Sequence, residues 1–96
     1  MRDREELYSR LKSQLDEWKS ELERLRSKVE DDGAEIQREF RQVAENLEAK
    51  IEEANLKLAE LKDSGNEAWE SLKKGLDSAW DSLKEGFKEA ASKFKN

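Results

Sequence analysis

Apolar residues recur along this chain in steps of three and four. From Tyr8 they run Leu11, Leu15, Trp18, Leu22, Leu25 and Val29, the strict alternation of a heptad seam. The next seam position is Asp32, and Asp31-Asp32-Gly33-Ala34-Glu35 reads as a stop and a restart. Asp32 is the expected N-cap of the following helix, with Glu35 three residues on as its capping-box partner. Gly33 costs a helix interior only about 1 kcal/mol relative to Ala. An unbroken helix through this point is therefore a competing reading.

The second run is Ile36, Phe40, Val43, Leu47, Ile51, Ala54, Leu58 and Leu61. It contains two consecutive steps of four, a stutter expected to unwind a left-handed seam locally. The segment Lys62-Asp63-Ser64-Gly65-Asn66-Glu67 then combines several boundary signals. Gly65 after a Lys marks a helix end, and Ser64 with Glu67, or Asn66 alone, can cap a new helix.

The last third is an internal repeat. Residues 66–76 read NEAWESLKKGL, residues 77–87 read DSAWDSLKEGF, and 88–96, KEAASKFKN, are a degenerate third copy. A period of 11 is three turns at about 3.67 residues each, so aligned side chains stack into one stripe. That stripe is Trp69, Leu72, Leu76, Trp80, Leu83, Phe87, Ala91 and Phe94. Gly75 and Gly86 share one flank of it with Ser71, Ser78 and Ser82. Close approach of another helix and descent by duplication each suffice to explain the two glycines.

These runs predict an all-α protein: a single helical domain, 1–96, with helices of about 3–31, 34–62 and 66–94. Each would be about 45 Å long, and equal lengths suit an antiparallel three-helix bundle or coiled coil. The alternative is a long helical hairpin, one helix through residue 62 folded against the third, whose unpaired N-terminal half dimerises. The expected core is Leu11, Leu15, Trp18, Leu22, Leu25, Val29, Ile36, Phe40, Val43, Leu47, Ile51, Leu58 and Leu61. Pairs such as Glu6–Arg10, Glu53–Lys57, Glu70–Lys74 and Glu89–Lys93 support the helices at about 0.3–0.5 kcal/mol each.

Composition narrows this picture. Charged residues make up 45% and hydrophobic ones 34%, with mean hydropathy −1.15, a balance that disorder would also give. A 3–4 rhythm kept along the whole chain argues for helices instead. There is no Pro, Cys or His, so helices run uninterrupted and the usual transition-metal ligand sets are missing. No apolar run is long enough to span a membrane and no secretory leader is visible, so cytoplasmic location is the default expectation. The net charge of −5 disfavours nucleic acid as a partner. Residues 64–96 hold six basic and six acidic groups, all the basic ones Lys, while the preceding segments are acidic.

Nothing here carries catalytic chemistry. Carboxylate pairs such as Glu52–Glu53 and Asp31–Asp32 lack the ligand alternation of a Ca²⁺ loop, and acid–base work needs a pocket that a narrow bundle does not offer. They read as a solvated face; no enzymatic activity and no cofactor are expected. The candidate interaction or lipid face is Trp69, Leu72, Leu76, Trp80, Leu83, Phe87 and Phe94. Lys73, Lys84 and Lys95 repeat at its border, the arrangement of a helix lying in a membrane surface. Packing of both indoles in the bundle core is the other reading, and the two are compatible if the bundle opens.

The stretches LDEW at 15–18, LAELKDSGNEAWESLKKGLDSAWDSLKEGF at 58–87 and AASKF at 90–94 resemble a group of small bacterial coiled-coil proteins associated with stress responses. The resemblance covers most of the chain. It is most specific in AWESLKKG and AWDSLKEG and loosest at DDGAE, where Gly33 departs. The 11-residue rhythm is more distantly similar to apolipoproteins and desiccation-associated proteins. The resemblance implies a bacterial, helical, non-enzymatic protein with a role under stress. The functional expectation is a non-catalytic coiled-coil interaction protein, its partner a second copy or another helix. The alternative is reversible binding through 66–94, peripheral at the inner face of the membrane.

Overall fold

The computed structural model describes residues 2–94, with side chains from Arg4 to Phe94. It folds into α1 (Arg2–Val29), α2 (Ala34–Asp63) and α3 (Asn66–Lys93), an up-down-up three-helix bundle measuring 51 × 19 × 17 Å. Contacts fix the directions. Lys12 bonds Asn55 and Arg26 meets Glu48, so α1 and α2 are antiparallel. Lys93 meets Glu39 and Phe94 packs on Phe40, so α2 and α3 are antiparallel too.

The core is one continuous cluster. α1 contributes Leu15, Trp18, Leu22, Leu25 and Val29, with Leu7, Tyr8 and Leu11 half-buried at its open end. The first seam thus lies inward along its whole length. α2 buries Phe40, Ala44, Leu47, Ile51, Ala54, Leu58 and Leu61. Those positions alternate strictly in steps of four and three, so the stutter expected from Val43 is not there. The sequence reading followed the larger side chain: Ala44 is the buried seam residue and Val43 is half-buried beside it. Ile36 is likewise off the seam, 40% exposed, although it was expected in the core. Counting three back from Phe40 places Gln37 at that position.

Gln37 explains the first turn. Its Nε2 donates to Glu30 O at 2.7 Å and to Asp32 O at 3.0 Å, holding the chain reversal together. The N-cap is Gly33, with extended backbone (φ −62°, ψ 164°) and no side-chain cap, in place of the expected Asp32–Glu35 box. At the second turn the N-cap is Gly65 (φ −81°, ψ 175°), in place of Ser64 or Asn66. Ser64 closes α2 instead: its N–H and its Oγ both donate to Leu61 O. Gly65 ends α2 without the left-handed conformation that usually makes Gly a helix terminator.

Candidate interaction face

α3 forms where its apolar positions recur every three or four residues, with Glu67 in the first turn and Lys93 in the last, both favourable to the helix dipole. Its stripe faces the bundle. Leu76, Leu83, Phe87 and Phe94 are buried, and Trp69, Leu72 and Trp80 are half-buried. Ala90 occupies the seam in place of the expected Ala91, which is exposed. Of the bordering lysines, Lys73 and Lys84 are exposed; Lys95 lies outside the described residues.

The two sides of α3 are built differently. Against α2 the backbones come close. A Cβ added to Gly86 would sit 2.8 Å from Leu47 Cδ2, so this glycine permits the approach. Gly75, one repeat earlier, meets nothing nearer than Lys57 Nζ at 4.0 Å. Only one of the two aligned glycines is therefore needed for packing. Against α1 the backbones stay farther apart and aromatic rings fill the gap. Trp18 stacks on Phe87 (centroids 5.8 Å, planes 9° apart) and tilts against Trp80 at 5.5 Å. Such pairs add about 0.5–1.5 kcal/mol each beyond the area they bury. At the far end, Phe40 and Phe94 meet edge to face at 5.3 Å.

The Trp69 end has a brace that sequence reasoning missed. Arg4 lies 4.4 Å over the Trp69 ring, donates from Nη1 to Ser64 O at 3.0 Å and from Nη2 to Asn66 Oδ1 at 2.8 Å. One side chain of α1 thereby ties the end of α2, the turn and the start of α3. Nearby, Lys62 Nζ sits 4.8 Å over the Tyr8 ring. An open cleft lies between these pairs, lined by Arg4, Glu5, Tyr8, Ser9, Lys62 and Trp69 among others. Arg4 lies before the first seam and follows no apolar rhythm. Only the general affinity of Arg for aromatic faces hints at its role.

Among the described residues no polar or charged side chain is buried, and no cluster of acidic side chains is placed to hold a metal ion. No helix of the described chain is long and apolar enough to cross a membrane. Glu53 and Lys57 pair at 3.5 Å as expected, whereas Lys93 reaches across to Glu39 at 3.7 Å. Comparison with protein-family models, curated proteins and solved structures yields no match.

Proposed function

We propose that this is a non-catalytic interaction protein that works by offering heptad-spaced helix faces to another helix. The observation that carries this reading is that each of the three helices commits a long apolar stripe to its neighbours. All three helices bury a 3–4 stripe over nearly their full length, and each is matched in length to the others. Among the described residues the closed bundle leaves only Ile36 and Leu56 as large exposed apolar side chains, too little for a stable outer surface. Partner binding therefore requires a seam to open. A stress-linked role fits this reading through the sequence resemblance alone. Sedimentation velocity at several protein concentrations tests it: reversible, concentration-dependent association is expected, and a monomer at every concentration with no helical partner overturns self-association.

A second reading has a specific observation behind it. α3 belongs to the neutral last third of the chain, and its two Trp are the stripe residues left half-buried on the aromatic α1 side. On release it would lie on an anionic membrane surface through Trp69, Trp80, Leu83 and Phe87. Binding would be weak, since only the open fraction of molecules is competent. Adding anionic vesicles to the same experiment separates the readings. Co-sedimentation with a blue shift of Trp emission supports the membrane surface, and its absence removes that reading.

A further inference from the structure

The turn between α1 and α2 is held by very little. Residues 30–36 are all exposed, seven in succession with no core side chain among them. Gly33 has no side-chain cap and no atom within 4 Å of where its Cβ would be, and no residue of the turn has positive φ. Besides the Gln37 clasp, the turn is closed by Glu30 N–H to Ser27 O and Asp32 N–H to Val29 O, bonds a continuing helix would replace with its own.

The two helices it joins are also in phase. The buried α1 residues Leu15, Trp18, Leu22 and Leu25 recur 36 residues later as the buried α2 residues Ile51, Ala54, Leu58 and Leu61. Thirty-six residues are ten full turns at 3.6 residues each. On an unbroken helix the two stripes would lie along the same side. The closed bundle does not require this, because a turn lets each helix rotate independently about its own axis. One of the two seam positions of α1 moreover runs on through the turn: Tyr8, Leu15, Leu22 and Val29 continue at intervals of seven to Ile36 and Val43, while the other, from Leu25, meets Asp32 and Glu39. Ile36 and Val43 are the two α2 residues expected in the core and found displaced from it.

We infer that a second copy of this chain is a partner, through a dimer in which residues 30–33 become helical, α1 and α2 fuse, and the two protomers exchange α1. This deepens the interaction reading above and rests on it. The contacts of α1 with α2 and α3 are remade with the other chain, while α2 and α3 stay packed within one chain, the usual economy of such exchange. The pairing of α1 with α2 fixes where the copies cross. Lys12 with Asn55 and Arg26 with Glu48 have midpoints between residues 33 and 37. Transferred to the fused helices, that register puts the two-fold axis within residues 33–37, where Ile36 is the one large apolar side chain and comes beside its copy. It also brings Val29 opposite Val43. The exposed Ile36 thereby acquires an apolar partner that the monomer lacks. The second turn stays closed, because Arg4 of the exchanged α1 clasps it on both sides, so the assembly ends at two chains.

The same crossing opposes association. Residues 28–40 hold five acidic and two basic side chains, and two such segments meet at the axis. The dimer is therefore favoured at high salt, where this repulsion is screened.

The test uses the full chain, refolded from urea at low and high protein concentration and examined by sedimentation. The chain has no Cys, so Ile36→Cys and Leu56→Cys each carry a single thiol. Under mild oxidation Ile36→Cys is expected to give covalent dimers and Leu56→Cys, 63% exposed but remote from the axis, to give few. Gly33→Pro suits the closed turn (φ −62°) and breaks a continuous helix, so the dimer should weaken at least about a hundredfold. Gly33→Ala should strengthen it by roughly tenfold. A dimer that cross-links equally at 36 and 56, or that ignores Gly33→Pro, overturns the exchange and leaves the interaction reading in place. A chain that stays monomeric even as Gly33→Ala in high salt overturns the exchange, and binding to a different helix would then be the remaining support for that reading.

Discussion

The two turns of this bundle do the same topological job by different means. The 64–65 turn sits between buried Leu61 and half-buried Trp69, and Arg4 reaches it from α1, the helix that the turn does not join. The 30–33 turn is exposed throughout and is fastened locally, by the Gln37 side chain of α2 and by backbone bonds to Ser27 and Val29. A turn tied by a distant residue cannot rearrange without loosening the bundle. A turn tied only locally can rearrange while every long-range contact is remade elsewhere. The difference lies in packing, since both turns use a glycine N-cap with extended backbone and neither has a side-chain cap.

The largest expected effect checks that both ends share one cooperative core. Leu58→Ala removes a fully buried side chain and should cost about 2–5 kcal/mol, read from the urea midpoint. Hydrogen exchange should accelerate together in the buried helix stretches beside both turns, around residues 22–29 and 58–61. Loss of protection at one end only would mean that the ends unfold separately, and the contrast between turns would then reflect two local cores.

Next comes the pair of aligned glycines. Gly86→Ala pushes a methyl group to 2.8 Å from Leu47 Cδ2. Overpacking costs about 1–3 kcal/mol, against about 1 kcal/mol gained in helix propensity, so the net change should be destabilising by up to about 2 kcal/mol. The clash is with the tip of the Leu47 side chain and not with backbone, which keeps the effect below that of the core truncation. Gly75→Ala has open space and should stabilise by about 0.5–1 kcal/mol. Equal effects at both positions would show that α2 and α3 do not approach closely at Gly86.

Much of this could be read in the residues, and the failures share a cause. The helix count, the helix bounds to within two residues and the whole α1 seam follow from apolar spacing, because that seam has one large side chain at every position. α2 misleads because Val43 and Ala44 are adjacent and the larger one attracts the eye. Tight packing selects the smaller, and only the completed geometry says how close the neighbouring helix lies. The caps were misassigned for a related reason. Asp32 and Asn66 have the right chemistry, yet the chain enters α2 and α3 through Gly33 and Gly65. In the candidate face, the spacing located the stripe, but not which residues stay half-buried. That depends on the aromatic gap between α1 and α3, which no single helix encodes. Arg4 acts across elements and leaves no periodic trace, while Gln37 takes the seam position three before Phe40 with a polar side chain that apolar spacing passes over.

Arg4→Ala should cost about 1–2 kcal/mol, the sum expected for one cation–π contact and its hydrogen bonds at a partly exposed site. Hydrogen exchange should rise around residues 64–69 and not around 30–37. Arg4→Lys should recover little, since an ammonium cannot stack on Trp69 and reach Ser64 and Asn66 together. A full rescue by Lys would mean that only charge matters at that end.

The smallest effect belongs to the other turn. Gln37→Ala removes two hydrogen bonds to carbonyls that are exposed to water, so water replaces them and the global cost should be below about 1 kcal/mol. The consequence should be local, faster exchange confined to residues 30–37 with the midpoint nearly unchanged. That pattern would match a turn fastened by its own helix and free of the core. If Gln37→Ala instead lowers the midpoint as much as Arg4→Ala does, the 30–33 turn is coupled to the core after all. The bundle would then have no weaker end, and straightening this turn would disturb α1 and α2 as much as opening the braced one.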